Sequence, residues 1–197
     1  MSLFVDKGDL VILLSGLHYP STDIFFKYFT HLGSGFILLF LAIVFLFFSY
    51  RSSLMVVCIS ILQGIVVAFF KVALFPDAPR PATYFGNAVN LNFVEGVDIL
   101  YWRSFPSGHT LTAFGVATLL AFSVKSTVLQ MLLLTYAILV AISRIYLSHH
   151  FFVDTLVGAL LGIFITLITY LIFDNSALLN HQILDKNLTD RFGLKLF

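Results

Sequence analysis

His150 and Asp154 are four residues apart and stand at the start of a long apolar run. Residues at this spacing share one face of a helix, so the carboxylate can contact the imidazole. A carboxylate bonded to one ring nitrogen orients the imidazole and leaves the second nitrogen free to attack an electrophile. The spacing therefore predicts an oriented nucleophile, His150, with Asp154 as the group that positions it.

The segment FPSGHT, residues 105–110, stands at the edge of another apolar run. It predicts a helix whose first amides, together with the Ser107 hydroxyl, can donate to an anion at the positive helix end. Gly108 allows the backbone to approach an oxyanion closely, because it has no side chain. His109 belongs to a different helix from His150, and it can supply a proton to a leaving group.

Three cations, Lys71, Arg80 and Arg144, also stand at or just beyond the ends of apolar runs. Chain connectivity puts them at the same membrane face as the two histidines and the aspartate. Ionisable groups at membrane depth are costly and usually mark function. Three fixed cations against one carboxylate favour a phosphate as the ligand.

The composition indicates what kind of elements position these residues. Only 11% of the 197 residues are charged and 59% are hydrophobic, against about 25% charged in soluble domains. Residues 52–70, 126–143 and 155–173 are uncharged stretches of 19, 18 and 19 residues, close to the ~20 that a helix needs to cross a bilayer. The sequence predicts an all-α polytopic membrane protein. Its net charge of +1 does not indicate a nucleic-acid-binding surface.

We predict about five spans, near 32–50, 54–73, 109–124, 127–146 and 151–173. Residues 1–31 mix charged and apolar side chains, which is typical of an amphipathic helix at the interface, with a sixth span as the alternative. Gly158 and Gly162 form a small-xxx-small pattern that favours tight helix packing. The chain is interpreted as a single membrane-embedded domain, 1–197.

The connections predict an orientation. Arg51 and Lys125 occupy the short loops on one side, and the amphipathic tail, 174–197, which contains three more Lys or Arg residues, follows the last span on that side. The positive-inside rule makes this side cytoplasmic, so the long loop 74–106 and the candidate site face outward.

Three motifs together resemble those of the type-2 phosphatidic acid phosphatase superfamily of integral-membrane lipid phosphatases. They are KVALFPDAPRP at 71–81, PSGH at 106–109 and SRIYLSHHFFVD at 143–154. The resemblance implies that His150 forms a phosphohistidine, that Asp154 orients it and that His109 protonates the leaving group. It implies no metal or other cofactor, and it assigns phosphate binding to Lys71, Arg80, Ser107, Gly108 and Arg144.

The first motif departs from the family pattern, because eight residues separate Lys71 from Arg80 instead of six. The extra length falls around 75–79, where a loop can absorb it. His149 points to a different helix face from His150 and is interpreted as a supporting or surface residue.

The expected activity is hydrolysis of a lipid phosphate or diphosphate that reaches the site from the bilayer, in a bacterial inner membrane with the site facing the periplasm. Candidate substrates are phosphatidylglycerol phosphate, phosphatidic acid, undecaprenyl diphosphate and a lipid A phosphate. The alternative is a small anion transporter or channel with a cationic site.

Overall fold

A computed structural model describes residues 7–176 and Lys186, and all regular structure in that part of the chain is helical. This confirms the predicted all-α fold. A 3₁₀ turn, Thr30–Gly33, follows the second helix, and a π-helical segment, Phe69–Leu74, extends the fourth. The α-helices are α1 (Asp9–Ser15), α2 (Pro20–Phe29), α3 (Gly35–Leu46), α4 (Tyr50–Ala68), α5 (Pro81–Phe85), α6 (Gly108–Ser123), α7 (Thr127–Tyr146) and α8 (Phe152–Asn175).

Within the described residues, three helical segments are long and apolar enough to cross a membrane: Tyr50–Leu74, which joins α4 to the π-helical segment, together with α7 and α8. The apolar α6 is shorter, as expected from the sequence. Pro20–Gly33 and Gly35–Leu46 form a pair bent by 54° that can make a fourth span if taken together.

The predicted first span differs from the helix in the structure. Where one span over 32–50 was expected, the continuous α-helix is α3, which has only 12 residues. The helix of the second predicted span, α4, begins earlier than predicted, at Tyr50, because the side chain of Ser49 accepts a hydrogen bond from the amide of Ser52 at 3.3 Å. This N-terminal cap ends the apolar run at Ser49 and starts a new helix there.

The amphipathic helix predicted before residue 31 is α2, which starts at Pro20, a residue that suits the first turn of a helix. The preceding helix, α1, has seven residues and a length of about 10 Å. It is too short to cross a membrane, so it does not supply a sixth span by itself.

Close packing of α6 against α8 fixes the geometry at the functional end of the bundle. A side chain added at Gly158 would place its Cβ 2.6 Å from the carbonyl oxygen of Ser107, and one at Gly162 would overlap the carbonyl oxygen of Leu111. The predicted small-xxx-small contact is therefore confirmed, and it brings the start of α6 against the start of α8.

The other end of the bundle joins the start of α4 to the end of α8. The guanidinium of Arg51 donates to the carbonyl oxygen of Phe173 at 2.5 Å, and the amide of Tyr50 donates to that of Lys186 at 2.9 Å. The rest of the predicted cytoplasmic tail, 177–185 and 187–197, lies outside the described residues.

The long connection between the π-helical segment and α6 folds back on itself. The amide of Arg80 donates to the carbonyl oxygen of Tyr101 at 2.9 Å, and the amide of Ser104 donates to that of Ala78 at 3.1 Å. These bonds bring the two ends of the connection together, which places Arg80 beside the residues just before α6.

Candidate active site

His150 lies in the turn between α7 and α8. The amides of His149 and His150 both donate to the carbonyl oxygen of Arg144, at 3.0 and 3.2 Å, and Ser148 adopts a left-handed conformation with φ of 53°. Asp154 lies in the first turn of α8, where a negative charge is favourable. His150 thus precedes the helix that carries Asp154, whereas the sequence suggested that both share one helix.

The carboxylate of Asp154 is buried and held from two sides. Its Oδ2 accepts hydrogen bonds from the hydroxyl of Ser104 at 2.5 Å and from the amide of Phe151 at 3.0 Å. The Nδ1 of His150 lies 3.4 Å from the same oxygen, within ion-pair distance but without the alignment of a hydrogen bond. Catalytic hydrogen bonds are often long until a substrate is bound, so this proximity fits an orienting role for Asp154.

The guanidinium of Arg80 uses all three of its nitrogens. Nε donates to the carbonyl oxygen of Trp102 at 2.8 Å, and Nη2 donates to that of Arg103 at 3.3 Å. Nη1 donates to the carbonyl oxygen of His149 at 2.9 Å and lies 3.4 Å from Nε2 of His150. Burial lowers the pKa of Arg80 to about 10, with the charge of Asp154 opposing the shift, so the group remains cationic at neutral pH.

This contact with Arg80 indicates which tautomer His150 adopts. Arginine only donates hydrogen bonds, so Nε2 faces Arg80 as an acceptor and the ring proton is on Nδ1, towards Asp154. Burial, and then the charges of Arg80 and Arg144, hold the pKa of His150 well below its usual value. The imidazole is therefore neutral at neutral pH, with its Nε2 lone pair on the side of the cations.

Arg144 is a buried cation held by two side chains. Its Nη1 donates to the hydroxyl oxygen of Thr30 at 2.6 Å, and its Nη2 lies 2.5 Å from Nδ1 of His149. The Nε of Arg144 is buried and has no hydrogen-bond partner within the described part of the chain. An unpaired buried donor is costly, and an anionic oxygen would satisfy it.

His149 supports Arg144 and does not lie on the surface. Since its Nδ1 must accept from Arg144, its Nε2 donates to the carbonyl oxygen of Asp98 at 2.9 Å. Burial, and then the charge of Arg144, lower the pKa of His149 to about 3. This neutral ring therefore links the end of α7 to the long connection.

Lys71 lies in the π-helical segment, where the amide of Phe75 donates to the carbonyl oxygen of Phe70 at 2.8 Å, five residues back. Such a widened turn changes the direction of the side chains it carries and is frequent at functional sites. Lys71 is close enough to Arg80, Arg144 and Asp154 for their charges to interact with its ammonium group. The structure thus brings Lys71 to the other cations despite the longer spacing.

The start of α6 presents backbone donors. The amide of Ser107 donates to the carbonyl oxygen of Asp154 at 3.0 Å, so this amide is already used. The first bond within α6 runs from the amide of Leu111 to the carbonyl oxygen of Ser107, which leaves the amides of Gly108, His109 and Thr110 without helical partners. No side chain in the described part of the chain caps this helix end.

His109 is half-buried and lines a cavity of about 280 Å³ together with Arg144 and His149.

All eight residues that the sequence singled out therefore lie at one end of the bundle. Sequence reasoning missed two residues that hold the site: Ser104, which contacts Asp154, and Thr30, which contacts Arg144. Neither residue stands at a motif spacing that could have revealed its role. Among the described residues, no group of three or more His, Cys, Asp or Glu is placed to hold a metal ion.

Residues 52–177, more than half of the chain, match the family model described as the PAP2 superfamily. The chain belongs to the PAP2 superfamily. The crystal structure of LpxE from Aquifex aeolicus is similar at 32% identity and a TM-score of 0.73, over 86% of this chain and 99% of that one. This PAP2 protein is therefore an integral membrane lipid phosphatase, a phosphoric monoester hydrolase.

A second solved structure supports the fold alone. It is described as the first transmembrane PAP2-type phosphatidylglycerolphosphate phosphatase from Bacillus subtilis, with 23% identity and a TM-score of 0.64 over 85% of this chain and 84% of that one. No curated protein matches the sequence.

Proposed function

We propose that this lipid phosphatase removes phosphate from a lipid phosphate or diphosphate through a phosphohistidine on His150, without a metal ion. The observation that carries the proposal is the position of the His150 ring. Its Nδ1 lies 3.4 Å from the carboxylate of Asp154, and its Nε2 lies 3.4 Å from Nη1 of Arg80. The nucleophilic nitrogen therefore faces the group that would hold the phosphoryl oxygens.

In the first step, Nε2 of His150 attacks phosphorus, and the bond between phosphorus and the lipid oxygen breaks. The ring becomes positively charged as the P–N bond forms, and the carboxylate of Asp154 beside Nδ1–H stabilises that charge. His109 donates a proton to the departing lipid oxygen.

In the second step, a water molecule attacks phosphorus while His109 takes its proton. The P–N bond breaks, inorganic phosphate leaves and the lone pair returns to Nε2 of His150. The candidate site lies at the end of the bundle with the long connection, and a cavity beside His109 gives room for the water.

Negative charge on the phosphoryl oxygens must be neutralised in both steps, because it builds up in the transition state. We assign this role to Lys71, Arg80 and Arg144, with the free Nε of Arg144 as one donor. The Ser107 hydroxyl and the amides that begin at Gly108 supply further donors at the positive end of α6.

The lipid tails would lie against the apolar helices, with the headgroup at the cationic end. We place the protein in a bacterial inner membrane with the site facing the periplasm, because Arg51 and Lys125 lie at the opposite end. Phosphatidylglycerol phosphate, phosphatidic acid, undecaprenyl diphosphate and a lipid A phosphate all present a phosphate beside apolar tails.

The test is phosphate release by detergent-purified protein in excess EDTA, with these four lipids and with His150→Ala as the comparison. We expect release by the wild type only, and the relative rates identify the substrate. Reversible loss of activity on chelation would contradict the metal-free mechanism. Turnover at the wild-type rate in His150→Ala would contradict the site assignment.

A further inference from the structure

The cavity beside His109 has a second wall that comes from outside the family-matched segment. One wall carries His109, Arg144 and His149, and the other carries Lys27, Thr30 and His31, from α2 and the turn after it. The PAP2 match covers residues 52–177, so the second wall comes from the part of the chain before the matched segment.

Lys27 is held in a defined position at this wall. Its ammonium group donates to the carbonyl oxygen of Glu95 at 2.8 Å and keeps two further donors. Gly96 follows with φ of 69°, and a Cβ built there would lie 2.5 Å from Nζ of Lys27. Gly96 therefore both permits this backbone turn and leaves room for the ammonium group.

The charges around the cavity favour an anion. Its lining combines two cations, Lys27 and Arg144, with three imidazoles, against the single carboxylate of Asp98. Arg144 is already assigned to the phosphoryl group, and the rings of His31 and His109 are close enough for an electrostatic interaction. A volume of about 280 Å³ is near the lower end of the range for small-molecule sites, ~300–1,000 Å³, and exceeds what one phosphoryl group needs.

We propose that Lys27 and His31 form a second anion site, which binds another anionic group of the substrate headgroup next to the phosphoryl group at Arg144. The proposal rests on the proposed function, since it takes Arg144 and His109 as the phosphoryl side of the cavity. The preferred substrates would be lipid phosphates whose headgroup carries a second phosphate or a carboxylate. Lipids with a single anionic group would leave this wall unused.

The experiment compares two lipids with identical acyl chains: phosphatidic acid, which has one phosphate, and phosphatidylglycerol phosphate, which has two. The quantity measured is the ratio of kcat/KM for the second lipid to kcat/KM for the first. We expect the wild type to favour the lipid with two phosphates. Lys27→Met should lower the ratio about tenfold, mainly through KM, as expected for loss of one charge-assisted contact.

Three further variants separate binding from folding. Lys27→Arg keeps the charge and should retain most of the preference, and His31→Gln should lower the ratio without removing the contact to Glu95. Lys125→Met, at the opposite end of the bundle, should leave the ratio unchanged. The proposal is overturned if Lys27→Met and His31→Gln both keep the wild-type ratio, or if both lipids lose activity equally in these variants.

Failure of the proposed function has a different signature. If the wild type releases no phosphate from either lipid, or if His150→Ala is fully active, then the catalytic assignment fails and the second anion site fails with it. If the wild type is active, His150→Ala is inactive and the ratios do not change in the Lys27 and His31 variants, then only the second anion site is wrong.

Discussion

The Nη1 of Arg80 lies 3.4 Å from Nε2 of His150 and donates to the carbonyl oxygen of His149 at 2.9 Å. This guanidinium therefore holds the turn that carries His149 and His150, and it also faces the nitrogen that we propose as the nucleophile. Its other nitrogens hold the carbonyl oxygens of Trp102 and Arg103. A planar fork of five N–H donors can make these contacts together, whereas an ammonium group cannot.

Arg80→Lys should therefore lower kcat by about 10²- to 10³-fold, the usual effect of losing one preorganised donor in an active site. Charge is conserved in this variant, so a purely electrostatic role for Arg80 would give nearly wild-type turnover. Steady-state phosphate release decides between the two. A thermal unfolding scan in detergent serves as the control for folding.

Asp154→Asn should lower kcat by about 10²- to 10⁴-fold, because an amide does not stabilise the charged ring and can favour the wrong tautomer. Ser104→Ala removes one of the two hydrogen bonds to Oδ2 of Asp154, so its effect should be smaller and in the same direction. The measurement is kcat for both variants with one lipid substrate. A larger loss in Ser104→Ala than in Asp154→Asn would contradict the role given to Asp154.

Gly162→Ala should lower the stability of the bundle, since the added Cβ overlaps the carbonyl oxygen of Leu111. Overpacking of this kind costs about 1–3 kcal/mol. The displaced α6 carries His109, so kcat should fall as well. Gly64→Ala is the matched control, because a Cβ at Gly64 meets no atom outside its own stretch of helix within 4 Å among the described residues. Equal unfolding temperatures for the two variants would contradict the close packing of α6 and α8.

The burial of His149 predicts a pH dependence of stability. Its pKa is lowered to about 3 in the folded protein, whereas it is about 6.5 in an unfolded chain. Between these values the unfolded chain takes up a proton that the folded ring does not, so stability present above pH 6.5 is lost as pH falls. The loss is at most about 1.4 kcal/mol per pH unit for this one group.

The comparison is thermal unfolding at pH 7 and pH 5 for the wild type and for His149→Gln, whose amide can still accept and donate. We expect the wild type to lose more stability than the variant over this interval. An identical loss in both proteins would show that His149 does not resist protonation.

Much of the site could be predicted from the sequence, because the motif residues stand at the ends of apolar runs and connectivity alone puts these ends on one side. The contacts that hold the site residues in place could not be predicted. Thr30 supports Arg144 from more than a hundred residues away in the chain, and no local pattern indicates a contact at that separation. The sequence left open whether His149 supports the site or lies at the surface for a related reason, since its two partners come from different elements.

The helix boundaries show the same limit. Residues 32–50 are uniformly apolar except near their ends, so hydropathy predicted one span. In the structure α3 ends at Leu46, because Ser49 caps a new helix, α4, that begins at Tyr50. The π-helical turn at Lys71 is also invisible in the pattern, since one widened turn leaves the apolar composition unchanged.

The central claim is that His150 carries the phosphoryl group, and a chemical-quench experiment tests it most directly. Purified protein is mixed with a lipid labelled with ³²P in the scissile phosphate, quenched in alkali, and mapped by peptide analysis. We predict a label that resists alkali, is lost in acid, resides on His150 and is absent from His150→Gln. Label on another residue, or rapid turnover of the lipid with no labelled protein at any time, would contradict the account.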